Sequence, residues 1–154
     1  MNIKIVNATH LVDEVRILFN EYQKSLGVDL CFQDYEMELL SLPGKYDYPD
    51  GRLYLITVDE QLAGCIALRR FDAQCCEMKR LYVRPSFRGL RLGQRLVDKI
   101  IDDAKIIGYQ EMVLDTLASL ESAVSLYRKL GFEEVSPYYP NPLEDVLYFK
   151  LKLE

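Results

Sequence analysis

The segment from Glu77 to Gly93 constrains the fold of this chain more than any other stretch. It begins with the β-rich run E-M-K-R-L-Y-V, passes through Pro85 and ends in the glycine- and arginine-rich sequence R-G-L-R-L-G. This order predicts a strand, a turn and a loop that opens a long amphipathic helix. A helix N-terminus presents unpaired N–H groups and the positive end of the helix dipole, so a loop in this position favours an anionic ligand.

The helix after this loop has the clearest periodic pattern in the chain. Apolar residues recur at helical spacing from Leu92 to Ile107, and Gly108 is suited to end the helix. An apolar stripe of this width predicts that the helix packs on a sheet.

The remaining elements are short strands and helices separated by turn residues. We predict strands at residues 3–6, 52–58, 62–71, 75–83, 111–114, from 132 onward, and 146–153. We predict further helices with Thr9 as the N-cap and Gly27 as the end of the first, then at 32–40 and 120–130. No domain-scale linker interrupts them, so we predict one α/β domain over residues 1–154, with an α+β mixed sheet.

Composition narrows the classes of ligand. The 154 residues are 49% hydrophobic and 28% charged, which is typical of a globular protein. The net charge of −5 argues against nucleic-acid binding, which needs a basic surface. Cations nevertheless cluster within twenty-one residues, a pattern that indicates a local ligand site; they are Lys79, Arg80, Arg84, Arg88, Arg91, Arg95 and Lys99.

Neither a metal nor a membrane is expected. The four cysteines (Cys31, Cys65, Cys75 and Cys76) include no CxxC pair, and the chain has a single histidine. The sequence contains no signal-peptide pattern and no apolar run of about 18 residues, so we expect a cytoplasmic protein.

On spacing alone, the loop at residues 88–93 leaves two interpretations open. It is an anion-binding loop, or it is a helix start rich in turn residues with solvated arginines. Gly93 is followed by Gln94-Arg95 and no GxGxxG is present, which excludes both the P-loop and the dinucleotide fingerprint.

Several motifs together resemble one family. R-G-L-R-L-G at 88–93 is similar to the acyl-CoA-binding signature (Q/R)-x-x-G-x-(G/A) of the GNAT superfamily of N-acetyltransferases. The runs L-Y-V-R-P before the loop and S-L-Y-R-K-L-G-F about forty residues after it, with a terminal strand, stand where that family has them. The ending S-P-Y-Y-P-N-P with E-M-K-R-L-Y-V resembles a bacterial subgroup of N-acetyltransferases without an assigned substrate. Two positions depart from the pattern: Arg91 replaces the middle glycine, and Leu120 replaces a frequent asparagine.

The resemblance implies both a fold and an activity. The fold is a GNAT-like single domain with a central, mostly antiparallel sheet of six to seven strands, splayed at the cofactor site, and about four helices. The activity is transfer of an acetyl group from acetyl-CoA to a primary amine of a small-molecule or amino-acid-like acceptor by direct attack, with no nucleic-acid partner and a possible homodimer. The alternatives are a CoA-binding sensor without turnover and a protein N-terminal or lysine acetyltransferase.

The resemblance also implies site residues. The cofactor would be held by Leu81, Tyr82, Val83, Arg88, Gly89, Leu90, Arg91, Leu92, Gly93 and Gln94. Tyr127 would protonate or hydrogen-bond the sulfur, although a core tyrosine is the alternative. Glu77 is the candidate general base, although an ion pair with Lys79 or a neighbour such as Arg52 is the alternative. An acceptor pocket is predicted from Phe32, Asp34, Tyr46, Tyr138, Tyr139 and Asn141.

Overall fold

The computed structural model describes residues 1–27 and 34–154, which form one seven-stranded sheet with helices on both faces. The strands are β1 (Ile3–Asn7), β2 (Arg52–Val58), β3 (Gln61–Arg70), β4 (Cys75–Val83), β5 (Glu111–Leu117), β6 (Glu133–Val135) and β7 (Val146–Lys152). The α-helices in the described ranges are α1 (Val12–Leu26), α2 (Tyr35–Ser41), α3 (Leu92–Ile107) and α4 (Glu121–Lys129). The predicted fold class is confirmed.

The sheet is antiparallel except at its centre. Its strand order is β1-β2-β3-β4-β5-β7-β6, and only β4 and β5 run parallel. Their ladder holds three residue pairs and ends where Glu77 meets Val113. Both strands continue beyond that pair without pairing to each other, so the sheet opens between them. This opening is the splay that the resemblance implied.

A β-bulge in β4 decides which side chains reach this opening. The β3–β4 register shifts between Cys65 and Ala67, and Arg80 has a positive φ of 62°. Met78 packs in the core cluster under α3, whereas Tyr82 packs in the cluster under α1. One extra residue therefore reverses the alternation of the strand and directs Arg80 toward the α1–α2 face.

The long helix α3 packs on β2, β3 and β4, as its stripe predicted. Its core residues Leu96, Val97 and Ile100 are completely buried, and Gly108 ends it in the left-handed conformation. On the other face α1 packs on β3 and β4 through Val15 and its neighbours. The sheet thus has a hydrophobic core on each face.

Three elements have boundaries that differ from the prediction or cannot be compared with it: α1, β5 and α2. Thr9 is not an N-cap: α1 begins after Leu11, and the Thr9 hydroxyl donates to Asn7 Oδ1 at 2.9 Å. β5 extends to Leu117 instead of ending at residue 114, because its outer half pairs fully with β7. The predicted start of the second helix at Phe32 lies outside the described residues.

No helix of the described residues is long and apolar enough to cross a bilayer.

Candidate active site

A cleft occupies the opening between β4 and β5. It has a volume of about 410 Å³ and is lined by Tyr22, Met78, Lys79, Arg80, Leu81, Asp115, Thr116, Leu120, Ala123 and Tyr127. A second cleft of about 370 Å³ shares five of these residues and continues along β5 to Asn141, Leu143 and Val146. The two volumes are halves of one opening, with α4 on one side and the segment before β7 on the other.

The N-terminus of α3 forms the outer end of this region. No side chain caps the helix, and its first main-chain hydrogen bond runs from the Arg95 N–H to the Arg91 carbonyl at 3.2 Å. The amides of the first turn therefore point out of the helix end, as they do at anion-binding termini. Arg91 precedes the helix at a φ of 58°, a conformation that glycine adopts at less cost.

The seven clustered cations between Lys79 and Lys99 divide into two groups. Within the described residues Lys79, Arg80, Arg84 and Lys99 are ion-paired with acidic side chains. Arg88, Arg91 and Arg95 instead lie exposed around the start of α3, with no acidic residue in its first turn. Cations at a helix N-terminus oppose the helix dipole. An anionic ligand at this end would remove that unfavourable interaction.

The loop has room for such a ligand beside its backbone. A Cβ added at Gly89 would meet no atom within 4 Å, and one added at Gly93 would meet only Leu126 Cδ2, at 3.8 Å. The backbone is thus open to an extended polyanion at both glycines. These residues fit the pyrophosphate of a coenzyme A thioester.

Tyr127 reaches the cleft from α4. Its side chain is buried, packed against the rings of Phe132 and Phe149 at centroid distances of 5.7 and 6.1 Å. Burial raises the pKa of Tyr127, so its hydroxyl stays protonated and is a hydrogen-bond donor at ordinary pH. Tyr127 is therefore a core tyrosine, as one interpretation of the sequence had it. It also lines the cleft, as a donor to the sulfur would have to.

Glu77 lies at the closed end of the opening, where β4 and β5 last pair. Its Oε1 accepts a hydrogen bond from Arg69 Nε at 2.7 Å and lies 4.0 Å from Lys79 Nζ. Its Oε2 accepts a hydrogen bond of 2.6 Å from the Tyr138 hydroxyl. The ion-pair alternative is therefore present, with Arg69 as the nearer partner, while Arg52 lies beside Asp103 instead.

Asp115 is the functional candidate that sequence reasoning missed. It lies on the outer half of β5, and its Oδ2 accepts hydrogen bonds from the Tyr139 hydroxyl and, at 3.4 Å, from Asn141 Nδ2. Burial raises the pKa of Asp115, although the Tyr139 hydrogen bond acts in the opposite direction. A half-buried carboxylate with a raised pKa in a cleft is typical of a proton acceptor.

The comparisons with known proteins now assign the fold to a family. Residues 14–132 match the model of the acetyltransferase (GNAT) family. This chain belongs to the GNAT family of acetyltransferases. An uncharacterized N-acetyltransferase of Schizosaccharomyces pombe is 43% identical to it, over 99% of this chain and 95% of the relative. The predicted family and enzyme class are confirmed.

Two solved structures share the GNAT fold. An acetyltransferase of Staphylococcus aureus matches with a TM-score of 0.83 at 24% identity, covering 99% of this chain and 100% of that one. The N-acetyltransferase PseH of Campylobacter jejuni, solved in complex with acetyl coenzyme A, matches with a TM-score of 0.66 at 24% identity and covers 99% and 100%. The predicted cofactor agrees with this fold and with the family.

The GNAT chain brings some predicted acceptor residues together and separates others. Tyr138, Tyr139 and Asn141 meet at the two carboxylates of the opening. Tyr46 is instead completely buried in the core under α1, and Asp34 is exposed at the start of α2. Phe32 lies outside the described residues.

The predicted cofactor residues of β4 also separate. Leu81 lines the cleft, whereas the Tyr82 side chain faces α1 and its hydroxyl donates to Glu21 at 3.2 Å. The Val83 side chain packs against the core under α3. Of these three residues, Leu81 alone lines the cleft.

Proposed function

We propose that this GNAT acetyltransferase transfers an acetyl group from acetyl-CoA to a primary amine of a small-molecule or amino-acid-like acceptor in the β4–β5 opening. The proposal rests on one observation: the start of α3 and the cleft both lie along β4. The uncapped, glycine-containing start of α3 lies at the end of β4, and the cleft lined by Tyr127 and Asp115 lies along the same strand. One elongated ligand would reach both.

At the phosphate end, the main-chain amides from Arg88 to Gln94 would hold the pyrophosphate. Oriented N–H groups at a helix start provide fixed positive partial charge. Arg88 and Arg91 would add charge-assisted hydrogen bonds from their exposed side chains. The main chain of Leu81 and Val83 would bind the pantetheine arm along the free edge of β4.

At the reacting end, bound acetyl-CoA supplies an acyl group activated as a thioester. Tyr127 keeps its proton because of burial, so its hydroxyl is a donor for the leaving sulfur. A carboxylate of the opening would accept the proton of the acceptor amine. Glu77 and Asp115 are the two candidates, and we favour Asp115 because it lines the cleft while both oxygens of Glu77 contact other groups of the protein.

The acceptor would enter beside the segment that carries Tyr138, Tyr139 and Asn141. This segment forms the wall of the opening next to β7, and its tyrosine hydroxyls bond to the carboxylates. A cationic acceptor would be attracted by the acidic protein. A homodimer and a cytoplasmic location stay predictions from the sequence.

Release of free CoA thiol that depends on added acceptor tests this proposal. A panel of small amines, amino acids and peptides is offered with acetyl-CoA, and the melting temperature is recorded with and without acetyl-CoA. Thiol release with small amines supports the proposal, and release with peptides alone would favour a protein acetyltransferase. A raised melting temperature with no release from any acceptor would mean a CoA-binding sensor.

A further inference from the structure

The two halves of the opening between β4 and β5 are lined by different elements. One half lies along β4 and α4, where Leu81 and Tyr127 line it, and the proposed function places the thioester there. The other half is lined from the end of α1, the end of β5 and the segment before β7. We call this second part the acceptor half. Asp115 lines both halves, so an amine next to Asp115 leaves its substituent in the acceptor half.

Aliphatic side chains from separate elements line the acceptor half, and all of them are half-buried; they are Leu26, Leu117, Leu120, Leu143 and Val146. Leu26 and Leu143 pack against the core under α1. The other three belong to neither hydrophobic core of the described residues. Apolar side chains that are only partly covered by the protein gain free energy when a ligand removes the rest of their surface from water.

The main chain fixes the positions of these uncovered side chains. Leu117 and Val146 are paired directly opposite each other on β5 and β7, so their side chains share one face of the sheet. The Leu120 N–H donates to the Leu117 carbonyl at 3.0 Å, and the Leu120 carbonyl accepts the first hydrogen bond of α4, from the Val124 N–H at 3.0 Å. The apolar wall therefore rests on paired backbone and needs little reorganisation to bind.

Three polar side chains of the acceptor half are already bonded within the protein. The Arg80 guanidinium donates to both carboxylate oxygens of Glu38, at 2.9 and 3.0 Å. Asp115 accepts from Tyr139 and Asn141, and Asn141 Nδ2 also contacts the Tyr139 hydroxyl at 3.0 Å. A polar substituent would have to compete with these bonds, whereas an apolar substituent gains from burial alone.

We infer that the acceptor carries an apolar substituent close to its amine, such as an isobutyl or benzyl group. The amine lies at Asp115, and the substituent packs against Leu117, Leu120 and Val146. Leu120, which stands where the family often has asparagine, thus forms part of an apolar wall. This inference rests on the proposed function and specifies its acceptor.

The test compares amines that differ only in the polarity or length of the substituent. Primary alkylamines from ethylamine to pentylamine are offered with acetyl-CoA, and kcat/KM is measured by thiol release. Each added methylene should raise kcat/KM about fourfold until the acceptor half is filled. Two nearly isosteric pairs, propylamine with ethanolamine and leucine with asparagine, are compared in the same assay. The apolar member should be preferred in each pair that is turned over.

Leu117→Asn changes the wall without greatly changing its volume. It should lower the apolar-to-polar ratio of kcat/KM about tenfold or more, because an amide then faces the substituent. Comparing this ratio with that of the wild type cancels the different basicity of the amines. Leu117→Ala is the second variant: it enlarges the half and should move the optimum to a longer alkylamine, which tests the inference even if the asparagine variant does not fold.

Ile106→Asn is the matched control. Ile106 is 79% exposed on α3 and lines neither half of the opening, so the ratio should not move. An equal effect of Ile106→Asn and Leu117→Asn, or wild-type turnover of the polar amines as fast as the apolar ones, would overturn the inference and leave the proposed function intact. Absence of thiol release with every small amine would overturn both.

Discussion

The Tyr138 hydroxyl donates a hydrogen bond of 2.6 Å to Oε2 of Glu77, across 61 residues of chain. The neighbouring Tyr139 bonds to Asp115 in the same way. Two consecutive tyrosines thus connect the segment before β7 to the two strands that separate. Each carboxylate thus accepts a hydrogen bond from a tyrosine hydroxyl, and we propose that the acceptor enters beside these two pairs.

Because their contacts differ, we expect substitutions of the two candidate bases, Asp115 and Glu77, to have different effects. We expect Asp115→Asn to lower kcat/KM by about 10²-fold or more, since a positioned base contributes roughly 10²–10⁴-fold. It should also remove the acid limb of the pH–rate profile. Glu77→Gln should retain that limb, because Glu77 is expected to position Tyr138. Rates measured from about pH 5 to 9 decide between them, and a limb lost only in Glu77→Gln would make Glu77 the base.

The same substitution has a predicted effect on stability. Burial raises the pKa of Asp115, so the folded protein holds this proton more tightly than the unfolded chain. The carboxyl then favours the folded state at low pH, and that contribution is lost as pH rises through its raised pKa. Asp115→Asn should therefore melt at the same temperature as the wild type or higher at pH 7. A markedly lower melting temperature would mean that the ionised carboxylate stabilises the fold.

Tyr127→Phe tests the donor to the leaving sulfur. The ring keeps its packing against Phe132 and Phe149, so the fold should persist. We expect kcat to fall about 10²-fold or more from the loss of one proton donor, with little change in acetyl-CoA affinity by calorimetry. An unchanged kcat would remove Tyr127 from the chemistry.

Gly93→Val tests the phosphate end. A Cβ at this position would contact only Leu126, so the protein alone should tolerate the change and keep its melting temperature. The added side chain would crowd a ligand against the first turn of α3. The rise in melting temperature on addition of acetyl-CoA should disappear in this variant. Wild-type acetyl-CoA affinity in Gly93→Val would show that the loop does not hold the phosphates.

The Arg80–Glu38 pair connects the bulge in β4 to α2 and should be essential for stability. The Arg80 side chain is 3% exposed and that of Glu38 6%. Glu38→Ala would leave a buried guanidinium without its partner, which costs about 3–5 kcal/mol of unfolding free energy. Urea unfolding measures the loss. The exposed Arg128–Glu134 pair is the control: Arg128→Ala should cost about 1 kcal/mol or less, and equal losses would contradict the account.

The sequence predicted the features that depend on local pattern. The loop at residues 88–93 and the stripe of α3 are contiguous, so local pattern predicted where α3 begins and which face it buries. That the loop holds phosphates stays a prediction. Asp115 was missed because the predicted strand stopped at residue 114, whereas pairing with β7 extends β5 through it. When pairing with a distant strand sets the length of a strand, that length cannot be predicted from the strand's own sequence.

Long-range side-chain contacts could not be predicted either. The sequence predicts Tyr46 for the acceptor pocket from its position in the helix–loop region, yet this residue fills the core under α1. The bulge at Arg80 changes which face each later residue of β4 occupies, and no local signal in the sequence marked it. The contact of Glu77 with Arg69 depends on the β3–β4 register, which pairs these two residues directly.

A structure determined with bound CoA tests the central claim most directly. We predict that the pyrophosphate lies against the amides from Arg88 to Gln94, and that the sulfur lies beside the Tyr127 hydroxyl in the opening between β4 and β5. Phosphates bound away from the start of α3, or a sulfur outside the cleft shared by Tyr127 and Asp115, would contradict the account.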